Sequence, residues 1–301
     1  IAAQIATTPF TIFYFHQFPI YFWLSNLFMT PVSSIVIIGG MIMLLIFFIP
    51  YVNNIVAYAV SKMIYIMNLG VSWIESLPYS IIKGLYINDL QFLILLMILL
   101  AILFYAEFRS TKILISIMIM TCAFLSINLK NIHQQNNQKE VVIYSINNMT
   151  AIDFIYGRSH VLLADTTFIS DESAFSFNIE NFLVSRGVLH NGEILSLEDD
   201  FNRFFVNKRK NVVTFDEKLI GLSDGSTFCK EELEYKIPLD FMIVYGRKRH
   251  RLSSLLKMYD FDNLIIDGSV PRYMVLKLIE EANVLGIKSH DIREEGCFLI
   301  K

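Results

Sequence analysis

Four aspartates, Asp153, Asp165, Asp240 and Asp267, stand at or near the ends of apolar, β-branched segments, and a basic burst, GRKRHR (Gly246–Arg251), follows one such segment. Carboxylates gathered from several strand ends can hold Mg²⁺ or Mn²⁺ without imidazole, and a metal so held activates water against a phosphodiester. The burst offers a different chemistry. Arg247, Lys248, Arg249 and Arg251 can neutralise phosphates in a salt-dependent, sequence-independent way, or form a solvated loop that caps the helix after it. Lys208–Lys210, KRK, is a second basic candidate, and His160, His190 and His290 read as ordinary surface or strand-end residues. Cys122, Cys229 and Cys297 form no CxxC pair and no zinc or disulfide spacing.

The elements that must position these groups belong to two unlike halves. The 301 residues are 54% hydrophobic and 18% charged, with a mean hydropathy of +0.49, outside the range of an ordinary soluble domain. No Asp, Glu, Lys or Arg occurs before Lys62, and a soluble fold cannot cover its surface without them. Up to Asn128 there are four basic and three acidic residues, which leaves 21 of the 25 basic and 25 of the 28 acidic residues to the remainder. Residues 1–129 are therefore expected to be a polytopic α-helical membrane bundle, 130–139 a polar linker, and 140–301 a soluble domain. The chain opens on Ile within an apolar run that lacks a basic n-region and a small-residue cleavage site, so it is read as a fragment with sequence upstream.

A spanning helix needs about 20 apolar residues. Ile20–Ile49, kinked at Pro31, Val52–Ile74, Leu90–Tyr105 and Ile113–Ile127 are the candidates, and residues 1–15 read as the tail of another. Between the tail and the first span, FYFHQFP interrupts an aromatic cluster with His16, Gln17 and Pro19. Such a break belongs at an interface, inside a bundle or beside water, because lipid satisfies no backbone group. Ser61, Asn68, Ser72 and Glu75, with Tyr65, fall at spacings of four and three, one helical face that suits a hydrated path or a helix lying flat at the interface. His16, Gln17, Ser61, Asn68, Ser72 and Glu75 are the candidate pore-facing residues. Arg109 and Lys112 place the connection between the last two spans on the cytoplasmic side by the positive-inside rule, and so place everything after Leu129 outside.

In the soluble half, NIHQQNNQKE reads as linker, VVIYSI as a strand, and IDFIYGRSHVLLAD as a hairpin turning at Gly157 and Arg158. Helical periodicity is expected at Glu180–Ser185 and Leu197–Phe205, and a strand at NVVTFD. Beyond Asp240 the order is strand FMIVY, helix LSSLLKMY, strand NLIID, a helix from Pro271 to Gly286, and strands KSHDI and CFLIK, which argues an α/β domain.

AAQIATTPFTIFYFHQFPIYF, the helix ending in SWIESLP and the domain after the last span resemble the C-terminal part of ComEC-family competence proteins over nearly the whole chain. The resemblance implies a membrane protein of DNA uptake, part of a channel for transforming single-stranded DNA, with an appended metallo-β-lactamase-like α/β domain that degrades one strand in the family. VIYSINNMTAIDFI and Ala164–Thr166 stand where the family has strand, turn and returning aspartate, but no HxHxDH cluster follows, and His190 is the one histidine between Asp165 and Asp240. The family's histidine pair falls at Gly246 and Arg247, and its later histidine at Val270, while Pro271, Gly286 and Gly296 keep the pattern. Glycine, arginine and valine cannot replace imidazole in a Zn²⁺ or Mn²⁺ site. The expectation is a degenerate domain without metal or cofactor, in an inner membrane, with the domain on its periplasmic side. Its partners would be single-stranded DNA, membrane lipid and other competence proteins, including a separate motor, since no GxxxxGK[ST] loop occurs. The alternatives are a membrane-tethered nuclease built on the four aspartates and a membrane anchor presenting a protein-binding module.

Overall fold

The computed structural model describes residues 2–188, 192–226 and 235–301; His190 and Cys229 lie outside them. The chain divides into two compact units, residues 1–127 and 128–301.

The first unit contains α1 (Ala2–Phe15), β1 (Gln17–Pro19), α2 (Phe22–Leu45), α3 (Pro50–Glu75), β2 (Ile81–Lys83), α4 (Asp89–Phe108) and the beginning of α5 (Thr111–Asn137). By length and composition α2, α3, α4 and α5 can each cross a membrane. Pro50 opens α3, where its missing N–H costs nothing. Asn88 starts α4 with a reciprocal cap: its side chain accepts from Gln91 N at 2.8 Å while Gln91 Oε1 accepts from Asn88 N at 3.1 Å. α2 and α3 approach closely through small residues, as helices in lipid do. A Cβ on Gly39 would lie 2.5 Å from Val60, and one on Gly70 2.2 Å from the Phe28 ring. Gly70→Leu should therefore lower the Tm of the detergent-solubilised chain, by about 1–3 kcal/mol of overpacking; an unchanged Tm would show that the helices can separate there without cost.

The second unit runs through β3 (Lys139–Ile143), β4 (Ala151–Tyr156), β5 (Ser159–Ala164), α6 (Thr166–Ile169), α7 (Glu172–Phe175), a π-helical turn (Ser176–Glu180), α8 (Asn181–Arg186), β6 (Gly192–Ser196), β7 (Phe201–Asn202), β8 (Val206–Arg209), β9 (Val212–Phe215) and β10 (Lys218–Ser223). It continues with β11 (Ile237–Pro238), β12 (Phe241–Val244), α9 (Leu252–Leu255), β13 (Tyr259–Asp260), β14 (Asn263–Ile266), α10 (Arg272–Leu285), β15 (Lys288–Asp291), α11 (Ile292–Glu295) and β16 (Phe298–Ile300). Among the described residues one sheet has the order β15-β14-β12-β10-β9-β8-β7 and the other β16-β3-β4-β5-β6.

Side-chain alternation assigns the layers. Val141, Ile143, Ile152 and Phe154 of one sheet meet Val213, Ile220, Ile243 and Ile265 of the other in a shared core. Their neighbours on the opposite faces, Val142 and Ile155, pack with Phe168, Ile179 and Leu183 beneath α6 and α8, while Met242, Val244 and Leu264 pack with Met274 and Leu278 of α10. The result is helix, sheet, sheet, helix, and the strands buried on both faces, β3, β4, β5, β12 and β14, are the ones that read as nearly continuous apolar runs, whereas β8 and β9 alternate.

Three expectations are corrected. Residues 130–139 are not a linker: α5 stays helical to Asn137 and β3 begins at Lys139. The amides that suggested a linker are used locally, since Gln135 Nε2 donates to Ser185 O at 3.3 Å and Gln138 Nε2 to Gly157 O and Arg186 O at 2.7 and 2.9 Å. Leu197–Phe205 is not a helix, because Phe201 and Asn202 pair with Lys208 and Asn207 across an antiparallel hairpin. LSSLLKMY gives a helix at Leu252–Leu255 alone, after which Tyr259 is drawn into a parallel pairing with Ile237.

Candidate functional site

Strands β10, β12, β14 and β15 are mutually parallel, so three loops emerge from the same sheet end: Asp224–Gly225, Tyr245–Arg251 and Asp267–Ser269. Crevices at such ends are where open α/β sheets generally bind ligands. The facing sheet contributes Thr150, just before β4, and Asp165, just after β5. Thr150 joins the two sheets. Its N–H donates to Asp165 Oδ2 at 2.9 Å and its hydroxyl to Asp267 Oδ2 at 2.6 Å. The Ser269 N–H and hydroxyl donate to the same Asp267 oxygen at 3.0 and 2.5 Å, and Gly246 N donates to Ser269 Oγ at 2.7 Å. Thr150, Asp267 and Ser269 are all buried. Burial pushes the Asp267 carboxyl up to about 6, against the hydroxyl and amide donors that favour its anion and with the help of nearby Asp165. Burial likewise raises Asp165, opposed by the two Thr150 donors.

Above this buried network lies the basic loop. Gly225 adopts φ +80°, and a Cβ there would stand 3.0 Å from Lys248 Cβ and 3.1 Å from Arg249 O, so the two loops meet where side-chain bulk is excluded. Lys248 Nζ lies 2.7 Å from Asp224 Oδ2. Burial works against the Asp224 anion, but the Lys248 and Ser226 donors hold its carboxyl down at about 2. His250 points inward, with burial lowering its pKa, and its backbone N–H donates to Met274 Sδ at 3.3 Å. Arg247, Lys248 and Arg249 are exposed; Arg251 is also exposed and stands at the N-cap of α9, which its side chain does not cap. The loop is thus fixed by Ser269 and Met274 and presents its cations outward.

Of the four aspartates read as a ligand set, Asp165 and Asp267 come together and the other two do not. Asp240, at the start of β12, accepts from Leu219 N at 2.8 Å. Asp153 is fully buried within β4, 2.9 Å from His160 Nδ1 and accepting from Tyr144 OH at 3.2 Å. His160 is accordingly not a surface residue: Gly192 leaves its ring room, since a Cβ there would fall 1.8 Å from Nε2. His290 lies 3.1 Å from Gly296 O and 3.2 Å from Glu295. In the KRK segment Lys208 is buried with Nζ on Asp199 O at 2.9 Å, and Lys210 N–H donates to Asp200 Oδ1 at 2.6 Å in the hairpin turn.

A metallo-β-lactamase-like fold implies a metal pair at this sheet end, and the residues present do not fit one. Among the described residues no three His, Cys, Asp or Glu side chains gather where they could hold a metal ion. The strand ends offer Gly246, Arg247 and Val270, and Asp267 spends one oxygen on three donors.

In the first unit, His16 has φ +52° and ends α1. Gln17–Pro19 pairs antiparallel with Ile81–Lys83, which satisfies the broken backbone: Leu85 N donates to His16 O at 2.9 Å and Ile20 N to Ser80 O at 3.0 Å. That strand partner carried no sequence signal, being three residues long. Ser61, Tyr65, Asn68, Ser72 and Glu75 share one exposed face of α3, away from Gly70 and its contact with α2.

The two halves match known families separately. Residues 1–109 match the competence protein family, and residues 141–301, more than half of the chain, match the ComEC C-terminal domain. The chain belongs to the ComEC family of competence proteins: it is a membrane protein with a role in DNA uptake, and its four-layer second unit is consistent with the metallo-β-lactamase-like fold. No curated protein and no solved structure matches it.

Proposed function

We propose that the helical unit forms part of a conduit for single-stranded DNA in an inner membrane, and that the second unit contacts DNA phosphates from the periplasmic side without hydrolysing them. The observation that carries this reading is the substitution of chemistry at one sheet end. Where the fold would hold metals, the loop of Arg247, Lys248, Arg249 and Arg251 presents cations to solvent over carboxylates already engaged by Thr150 and Ser269. Guanidinium groups grip phosphate bidentately and tolerate any base sequence. The sidedness follows from Arg109 and Lys112 beside the last span. His16, Gln17 and the Ser61–Glu75 stripe are the polar groups available to line the conduit, and a separate motor would drive transport.

Replacing Arg247, Lys248, Arg249 and Arg251 by Ala in the full chain should weaken single-strand binding. The slope of log affinity against log salt should become shallower by up to about 3, given roughly 0.7 counterion per neutralised phosphate and four cations removed. Unchanged affinity and slope would remove the loop from the mechanism.

A second reading, a carboxylate-based nuclease, rests on Asp165 and Asp267 sharing Thr150 and on the buried Asp267 Oδ1, which has no hydrogen-bond partner among the described residues. Stoichiometric metal together with DNA cleavage that Asp165→Ala abolishes would favour it over the first reading.

A further inference from the structure

Away from the basic loop, the hairpin between β7 and β8 carries Phe204, 96% exposed. Its neighbours make it more than a stray apolar residue. Phe205 stacks on Tyr156 with ring centroids 5.6 Å apart and planes at 14°, and Phe204 stands edge-on to Tyr156 at 6.4 Å and 82°. Phe205 is in turn braced edge-on by Phe215 of the core at 6.4 Å. Beside these rings opens a cavity of about 350 Å³ whose wall also carries Asn202, Asn207 and Thr214. Cations stand at its rim: Lys139 Nζ lies 5.3 Å from the Tyr156 ring centroid and 2.7 Å from Asp216, and Arg203 Nε lies 2.8 Å from Glu193.

We infer that this cavity is a stacking site for one unpaired nucleobase of single-stranded DNA. The walls combine what a base needs and other occupants do not. The rings of Tyr156, Phe204 and Phe205 offer aromatic faces and edges, the side-chain amides of Asn202 and Asn207 offer donors and acceptors to a base edge, and Lys139 and Arg203 exchange their carboxylates for the flanking phosphates. A lipid chain would strand those amides, and a paired base cannot present its face to a ring. The cavity lies at the small end of the range for ligand sites, which suits a single base. The inference rests on the DNA-contact reading for its ligand class and on different residues for its site.

The test uses the full chain in nanodiscs and a thymidine oligonucleotide, beside a matched oligonucleotide of abasic sugar-phosphate units. Phe204→Ala touches almost no packed surface, so the fold should survive it. It should weaken binding of the base-bearing strand by about 5- to 100-fold, the value of one lost stack, and leave binding of the abasic strand unchanged. Equal affinity of parent and variant for the base-bearing strand, or an equal loss on both strands, overturns the site while leaving phosphate contact by the basic loop intact. A parent chain that binds neither strand overturns the DNA reading itself. In a second arm, Phe204→Trp is introduced with Trp23 and Trp73 changed to Phe, which removes both natural indoles. Quenching of the introduced indole's emission by the oligonucleotide supports the site; quenching by brominated lipid and not by DNA overturns it in favour of membrane contact.

Discussion

His160→Leu should destabilise the second unit by about 3–5 kcal/mol, the cost of removing one member of a buried charged or hydrogen-bonded pair. Asp153 is wholly buried and has two partners, His160 Nδ1 at 2.9 Å and Tyr144 OH at 3.2 Å. Burial, with Asp153 beside it, pushes the Tyr144 phenol far up, so Tyr144 remains a donor throughout the accessible pH range. Losing His160 therefore leaves a buried carboxyl with one donor, and it also opens a void against Gly192, whose backbone packs on the imidazole. Asp153→Leu alone should cost a similar amount. The double variant should recover part of the loss, because the carboxyl and the imidazole that satisfy each other are then both gone and the Tyr144 hydroxyl is the one group of the trio left without its acceptor. Urea denaturation of the full chain, followed by proteolysis of the second unit, measures all three. A cost below about 1 kcal/mol for His160→Leu, or simple additivity in the double variant, would contradict a pair that stabilises through mutual satisfaction.

Asp267→Asn should make the second unit more stable at neutral pH and flatten its pH dependence. Its carboxyl sits at about 6 in the folded chain against a reference of 3.8. An acid raised on folding binds more proton in the folded state between those two values, so stability is gained as pH falls through about 6 and is complete below the unfolded value. Above about 6 the ionised group costs roughly 3 kcal/mol relative to acid, at 1.36 kcal/mol per pK unit. Asp165, also raised by burial, acts in the same direction. His250, lowered by burial, acts oppositely, because the unfolded chain binds proton first as pH falls. The difference between parent and Asp267→Asn curves isolates the one carboxyl. Hydrogen exchange of the β14 and β15 amides in the full chain, at pH 5 and pH 8, should show the variant gaining protection at pH 8 and little at pH 5. A variant less stable than the parent at pH 8 would mean that the hydroxyl donors of Thr150 and Ser269 require the anion more than burial opposes it.

Apolar length alone made the four spans legible, because nothing soluble can carry α2 without a charge, or α4 with charges only near its two ends, at Asp89 and Glu107. The hairpin at Gly157 and the helix between Pro271 and Gly286 were legible for local reasons: φ is +57° at the first, and the C-cap φ is +73° at the second. What was hidden depended on distant partners. Gln138 reads as linker until the turn at Gly157 and the end of α8 arrive to accept its amide. His160 reads as a strand-end residue until Asp153 lies beside it in the hairpin register, where Phe154 opposes Val161 and Ile155 opposes His160. Thr150 has no motif at all, yet its hydroxyl reaches Asp267 across 117 residues of sequence. The site inherits the same asymmetry. That Gly246, Arg247 and Val270 stand where the family resemblance implies imidazoles could be read along the chain, whereas the hydroxyl and amide network that engages Asp165 and Asp267 could not, because it forms only when the sheets face each other.

Phosphate contact in place of metal chemistry is what is proposed for this sheet end. The most direct measurement is elemental analysis of the purified full chain after incubation with Mn²⁺, Mg²⁺ or Zn²⁺ and desalting, with labelled single- and double-stranded DNA assayed for cleavage in the same samples. Less than stoichiometric metal and intact DNA are expected, with single strands retained by the chain at low salt and released at high salt. One or two bound metal ions per chain, with cleavage abolished by Asp165→Ala, would contradict the proposal and assign the carboxylates to a working hydrolytic site.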